Sequence, residues 1–308
     1  MTLTQITLLM VLCGIALLIS ALKPIKNICA CKNQAGHGWR TLYHFILLLT
    51  GGYLLFGYHL IKGGATFNEL VAAAALLGSG CFIFLASRLS LKSICDLNDA
   101  VQVERYRALH DPLTSLPNRI LFYERIDHAL SFAKREKKEI AIMIIDLNEF
   151  KEVNDTLGHQ AGDTLLLQAS QRLKSLLRES DTLARFGGDE FAIILPQTET
   201  MQAYMLAERL TNAILEPFTI ERKSLTIGMS VGISMYPRHG SDSNTLIKHA
   251  DIAMYSAKRY QKSFLLFKEE MQEEPGVNLD LNLNLDLAHA ASVQGQQRAA
   301  ANEKRVLN

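Results

Sequence analysis

Three apolar runs open the chain, and then its rhythm changes. Residues 3–22 (LTQITLLMVLCGIALLISAL) carry no charge, and 41–61 and 67–87 repeat the pattern, the last with Glu69 near its start. Each is long enough to cross a bilayer as a helix. The first could instead be a cleaved signal peptide, although it lacks a basic leading region and an evident small-residue cleavage site. From 88 to 109 the sequence is mixed and charged, with Leu91, Ile94, Asn98, Val101, Arg105 and Ala108 at steps of three and four. Two readings fit that spacing: a short, imperfect coiled-coil seam containing one asparagine, or a helical linker without a partner. Pro112 disfavours helix at the residue before it, so the helix is expected to stop before HDPLTSLPNR.

Beyond 110 the periodicity alternates. Ile120, Leu121, Tyr123, Ile126 and Leu130 give 118–135 a helical apolar face, whereas IAIMIID (140–146) is a continuous apolar run suited to a buried central strand. A helix is predicted over 163–178, and TLARF and FAIIL flank a glycine turn as a hairpin. A helix (199–215), a strand pair (218–235), a helix (244–260) and a short strand (264–267) complete an α/β domain with helices packed over a sheet. NLDLNLNLDL (278–287) and the Ala/Gln-rich remainder are low in complexity, so 272–308 reads as a disordered tail.

Composition sharpens this division. The chain is 48% hydrophobic and 20% charged, with the apolar excess concentrated before residue 88. A net charge of +1 gives no global field favouring nucleic acid. All five cysteines (13, 29, 31, 81 and 95) precede the charge-rich part, which therefore has no disulfide framework and reads as cytosolic. Lys23, Lys26, Lys32 and Arg40 lie in the first loop, and Arg88 and Lys92 follow the third span, but Lys62 stands alone in the second loop. Basic loops stay in the cytoplasm, so an outside N-terminus and a cytoplasmic later part are expected. Cys29, Cys31 and His37 fit no strong zinc spacing; metal binding, redox sensing and lipidation stay open. His44 and His59 lie roughly 22 Å apart along a helix and read as interfacial residues, not joint ligands.

The candidate chemistry centres on acids. Asp146 ends the predicted central strand, and in RFGGDEF (185–191) Asp189 is expected to begin a strand after two glycines. If those strands are neighbours, both carboxylates reach one sheet end. Mg²⁺ takes one or two carboxylates together with substrate phosphates, and a glycine pair leaves room for a phosphate. Mg²⁺-assisted phosphoryl or nucleotidyl transfer is one reading. A purely structural acidic hairpin tip is the other.

An ordered series of motifs adds a resemblance. DPLTSLPNR (111–119), DLNEFKEVNDTLGHQAGD (146–163), RFGGDEF (185–191), SVGISMYP (230–237) and HADIAMYSAK (249–258) together resemble the GGDEF family of diguanylate cyclases over about 110–271. The resemblance implies a nucleotidyl-cyclase-like palm, an α/β (α+β) fold with a βαββαβ core. Here an all-α membrane region of three helices (1–87) and a helical linker (88–109) precede it. It implies condensation of two GTP into cyclic di-GMP and two pyrophosphates across a homodimer, with Mg²⁺ (or Mn²⁺) as cofactor. The location is then the bacterial inner membrane, with the lipid bilayer, GTP and cyclic di-GMP as partners and no nucleic acid.

Roles follow by matching positions. Asp146, the Leu147 carbonyl and Asp189 resemble the metal ligands, Asp189 also taking the 3′-hydroxyl proton. Glu190 resembles the supporting acid. Gly187 and Gly188 admit the phosphates, and Phe150 and Lys151 line the pocket near the triphosphate. Asn154 and Asp163 resemble the guanine readers; taken alone they also suit an Asx turn and a helix cap. Lys258 and Lys262 resemble the β- and γ-phosphate holders, on one helix face by their spacing. The sequence departs from the family there, since QKS (261–263) replaces the usual glycine, arginine and asparagine, and Lys262 lacks the arginine fork. Arg178 and Asp181 resemble an RxxD product-inhibition site, with Arg209 as a second arm; an ordinary ion pair is the alternative. Without catalysis, the same domain would be a membrane-bound receptor for GTP or cyclic di-GMP.

Overall fold

The computed structural model describes residues 2–30 and 36–273; the side chains of Cys29, Cys31 and His37, and the tail from 274 onward, lie outside the described residues. The chain divides after Arg105 into two compact units.

The first unit contains α1 (Leu3–Ala30), α2 (Gly36–Gly63) and most of α3 (Phe67–Leu109). All three are long and apolar enough to cross a membrane. Their shared core is narrow. Val11, Leu18 and Ile25 of α1 meet Ile46, Tyr53 and Leu60 of α2, so both helices contribute at seven-residue intervals, the spacing of a left-handed helix pair. The Tyr53 hydroxyl lies 2.6 Å from the Leu76 carbonyl and 2.6 Å from the Ser79 hydroxyl, tying α2 to α3. His59 pairs with Glu69 at 3.4 Å across the turn between them.

The second unit begins in the last turn of α3. It then forms α4 (Arg119–Glu136), β1 (Ile140–Leu147), α5 (Phe150–Leu157), α6 (His159–Ser175), β2 (Thr182–Gly187), β3 (Glu190–Pro196) and α7 (Thr200–Leu215). A separate ribbon of β4 (Phe218–Ile220) and β5 (Lys223–Leu225) follows, then β6 (Met229–Tyr236), α8 (Ser243–Arg259) and β7 (Phe264–Leu266). The main sheet runs β2-β3-β1-β6-β7, antiparallel except for β6 with β7. The predicted strand pair over 218–235 is therefore three strands, and only the third enters the main sheet.

Every residue of β1 is buried, because helices cover both faces. Ile140, Ile142 and Ile144 pack with α4 and α8. Ala141, Met143, Ile145 and Leu147 pack with α6 and α7. Each buried aliphatic side chain contributes about 1.5–3 kcal/mol, and the two-residue alternation fixes which face a side chain enters. One contact seats α8: a β-carbon on Gly232 of β6 would collide with the Ala250 carbonyl and the Met254 backbone. Only hydrogen fits, so the 250–254 turn rests directly on the sheet.

Candidate active site

Strands β1 and β3 are neighbours, and their register places Asp146 directly opposite Glu190. Both lie on the α4/α8 face, two residues beyond Ile144 and two before Ala192 respectively. Facing like charges on adjacent strands destabilise a sheet. Six apolar pairs, from Ile140–Pro196 to Ile145–Phe191, hold the register that imposes this one. Asp189 does not begin β3 as expected. It sits in the two-residue turn with Gly188, because a register shift between Arg185 and Gly187 displaces the hairpin tip.

That turn is braced. Gly188 has φ +52° and Gly187 φ +150°, conformations that side chains with a β-carbon rarely adopt, and beyond each glycine and its chain neighbours no described atom lies within 4 Å of where the β-carbon would be. Arg185 donates from Nε (3.0 Å) and Nη2 (2.8 Å) to the Gly188 carbonyl. Its Nη1 forks onto both Asp111 oxygens at 3.0 and 3.1 Å. Thr114 also donates to Asp111, through its N–H and its hydroxyl. Burial raises the Asp111 pKa, but these hydrogen bonds outweigh it and hold the carboxyl below its ordinary value. The Leu147 N–H reaches the Asp189 carbonyl at 3.3 Å, completing the link from β1 to the tip.

The acids share a crowded field. Lys258 of α8 donates to Asp146 at 2.6 Å. Burial nevertheless raises Asp146 above the ordinary carboxylate range, against the pull of Lys258 and with a push from Asp189. Glu190 remains exposed as a residue. Desolvation of its carboxyl, then Asp146 and Asp189, raise its pKa against Arg119 and Lys258. Sequence reasoning passed over Asp251, on α8 two turns before Lys258. Burial first, and then Glu190, push its pKa up to about 6. Four carboxylates thus face two cations, Lys258 and Arg119, around one sheet end. Among the described residues no group of three or more His, Cys, Asp or Glu side chains is assembled at ligand distance. A hard ion completing its shell with water and phosphate needs only one or two carboxylates. The opposed, partly desolvated acids fit such an ion.

The remaining predicted residues fall around this centre unequally. A β-carbon on Gly162 would collide with Asn154 Oδ1, so the Asn154 amide lies against Gly162, next to Asp163, at the α5–α6 corner. Asn154 lies within α5, not in an Asx turn, and Gly158, not Asp163, occupies the cap of α6. Phe150 is buried in the core beneath that corner, and Lys151 is exposed. Lys262 is not on the α8 face with Lys258. The helix ends at Arg259, Gln261 turns with φ +53°, and the Lys262 N–H closes onto the Ala257 carbonyl at 2.8 Å. Arg178 and Asp181 form a small exposed turn after α6. There the Asp181 carboxylate accepts the Arg178 backbone N–H at 2.9 Å, in place of a side-chain ion pair. Arg209 is exposed on α7.

Comparison with known proteins matches residues 108–263 to the family described as diguanylate cyclase, GGDEF domain. The chain belongs to the GGDEF family. It is 39% identical over 175 residues to MucR of Pseudomonas aeruginosa, a bifunctional diguanylate cyclase and cyclic di-GMP phosphodiesterase, covering 56% of this chain and 26% of MucR. It is 41% identical over 156 residues to the diguanylate cyclase TpbB of the same species, covering 50% of this chain and 36% of TpbB. The chain thus spans well under half the length of these curated relatives. The solved GGDEF domain of TpbB aligns with a TM-score of 0.52 at 38% identity, covering 53% of this chain and 96% of that one. The coiled coil and GGDEF domain of DgcB from Caulobacter crescentus, in complex with c-di-GMP, aligns with 0.54 at 25% identity, covering 59% and 98%.

Proposed function

We propose that this chain is a membrane-anchored diguanylate cyclase, joining two GTP into cyclic di-GMP with release of two pyrophosphates. The observation that carries the reading is the like-charged pair Asp146–Glu190, built into a rigid sheet beside a braced glycine turn. Asp189, at the tip, takes the proton from the 3′-hydroxyl of one GTP. The freed oxygen attacks the α-phosphorus of the GTP held by a second copy, and pyrophosphate leaves. Repeating the step in the opposite sense closes the ring, which is why the active form is a homodimer. Arg185, clamped by Asp111, fixes the turn so that Asp189 need not reorganise as charge develops.

Asn154 and Asp163 complement the acceptor and donor edge of guanine. Lys258 and Lys262 neutralise the β- and γ-phosphates, Lys262 from the turn after α8. Mg²⁺, with Mn²⁺ as substitute, is held by Asp146, the Leu147 carbonyl and Asp189, with support from Glu190; when bound it supplies Lewis-acid stabilisation of charge on the reacting oxygens. The turn at Arg178 and Asp181, with Arg209, binds product as a feedback site. Three spans, with basic residues in the first loop and after the third span, support an outside N-terminus and a cytoplasmic second unit.

The test incubates the full chain, purified in detergent, with GTP and Mg²⁺ beside Asp189→Ala, and resolves the products by chromatography. Cyclic di-GMP from the wild type and none from the variant is the expected result. GTP binding without product from either protein, even when dimerisation is forced, replaces the enzyme with a receptor.

A further inference from the structure

Arg119 opens α4 with its guanidinium 5.4 Å from the centre of the Phe186 ring, just before the glycine turn. Its Nε and Nη2 atoms are buried and make no well-formed hydrogen bond, and neither does the buried hydroxyl of Tyr123 one turn further on, although Arg119 is near enough to pull against the burial that raises the Tyr123 pKa. Buried donors are almost always paired, so an unpaired guanidinium beside acids calls for a physical account. Arg119 feels two of them: its charge lowers the pKa of both Glu190 and Asp251. Those two acids in turn repel each other. Neither is within ion-pair distance of Arg119, whereas Arg185–Asp111 and Lys258–Asp146 do close at 3.0 and 2.6 Å.

The fold holds this arrangement from three sides. Asn118 caps α4 through the Leu121 N–H and fixes where Arg119 begins. Gly232 seats the 250–254 turn of α8, and with it Asp251, against the sheet. The β1–β3 register fixes Glu190. A cation with buried, unpaired donors thus sits in the field of two acids from different elements without closing onto either.

On the reading that this site binds a divalent ion, we infer that Asp251 is a positioning residue that keeps Arg119 from pairing with Glu190. Asp251 offsets the attraction of Glu190 for the guanidinium, and so leaves Glu190 free to face the metal and the nucleotide. Without the Asp251 charge, Arg119 turns its unpaired donors onto Glu190, and a charge-assisted arginine–carboxylate fork then competes with the metal for that carboxylate. Asp251 touches no reacting atom; it acts through Arg119.

The experiment is a double-mutant cycle on the full chain in detergent, read by electron paramagnetic resonance as Mn²⁺ is titrated, with and without α,β-methylene-GTP. Thermal melting provides the folding control. Asp251→Asn is expected to weaken Mn²⁺ binding by about tenfold or more, while melting no lower than wild type. Arg119→Met alone is expected to change Mn²⁺ affinity little, whereas in the Asp251→Asn background it removes the competitor along with its guard and affinity returns most of the way; an equal gain in both backgrounds would mean mere loss of a charge and overturns the inference. Unchanged Mn²⁺ affinity in Asp251→Asn overturns the inference. So does a double variant as weak as the single one, or a wild type that binds no Mn²⁺. A wild type that binds Mn²⁺ and the GTP analogue but makes no cyclic di-GMP sinks the enzyme reading alone, and the cycle still decides this one.

Discussion

The two units break the ordinary rule of a globular protein in opposite directions. In the first, large apolar side chains face outward: Leu48 is 74% exposed, Leu55 73% and Phe82 73%. In the second, β1 is wholly buried, yet its end carries Asp146, facing Glu190 and near Asp251. Each violation names what is needed beside it. Outward leucines on helices of this length call for lipid. Partly desolvated acids that outnumber their cations suit a divalent ion, as the proposed function requires. What identifies each unit is therefore the set of residues that would be misplaced in water alone.

The sharpest way to break the comparison is to remove an inward acid. Asp146→Asn should leave the sheet intact and reduce cyclic di-GMP formation by about three orders of magnitude, the equivalent of about 4 kcal/mol in the barrier. Product chromatography at saturating GTP measures it. The corresponding test on the other unit is Leu55→Lys, a charge near the middle of α2. Membrane insertion should lose about 2.5–3.5 kcal/mol, read as the membrane-bound fraction after alkaline extraction. Met201→Lys is the control: Met201 is similarly exposed, at 70%, but on α7. Stability there should change by no more than about 0.5 kcal/mol.

The buried charge also has a pH signature. Asp251 titrates at about 6 in the folded protein and near 3.9 when unfolded. Below about pH 4 the group is protonated in both states and has no effect. Between the two values only the unfolded chain releases the proton, so stability falls as pH rises, and the loss is complete above about 6. Asp251→Asn should therefore match wild type at pH 4. At pH 8, in metal-free buffer, it should be more stable by up to about 3 kcal/mol, as thermal melting would show. A smaller gain is expected at the end of α8. Gln261 holds φ +53°, so Gln261→Gly should add about 1 kcal/mol, visible as a small rise in melting temperature.

Legibility differed along the same lines. IAIMIID read as a central strand because burial on both faces leaves an unbroken apolar run, and the glycine pair marked the hairpin. The placement of Asp189 was off by one, since the shift between Arg185 and Gly187 leaves no trace in the hydrophobic pattern. Lys262 was placed on a helix that ends three residues earlier, closed by a left-handed glutamine where a glycine would have given warning. Arg119 and Asp251 stand 132 positions apart, and each looks like an ordinary surface charge until two helices bring them to one sheet end. In the first unit the seven-residue seam of α1 and α2 escaped notice for another reason. Where nearly every position is apolar, the positions that touch do not stand out.

The register shift beside Arg185 has a consequence for solubility. Strand β2 is an outer strand of the sheet, and an outer strand with free backbone groups is a template for aggregation. Here the Arg185 N–H is already taken by the Pro117 carbonyl at 3.0 Å, and the strand turns irregular immediately afterwards. A neighbouring chain seeking to extend the sheet at this end finds a covered donor and a bent edge. The irregularity that shapes the glycine turn thus also blunts this edge of the sheet against strand-by-strand pairing with another copy.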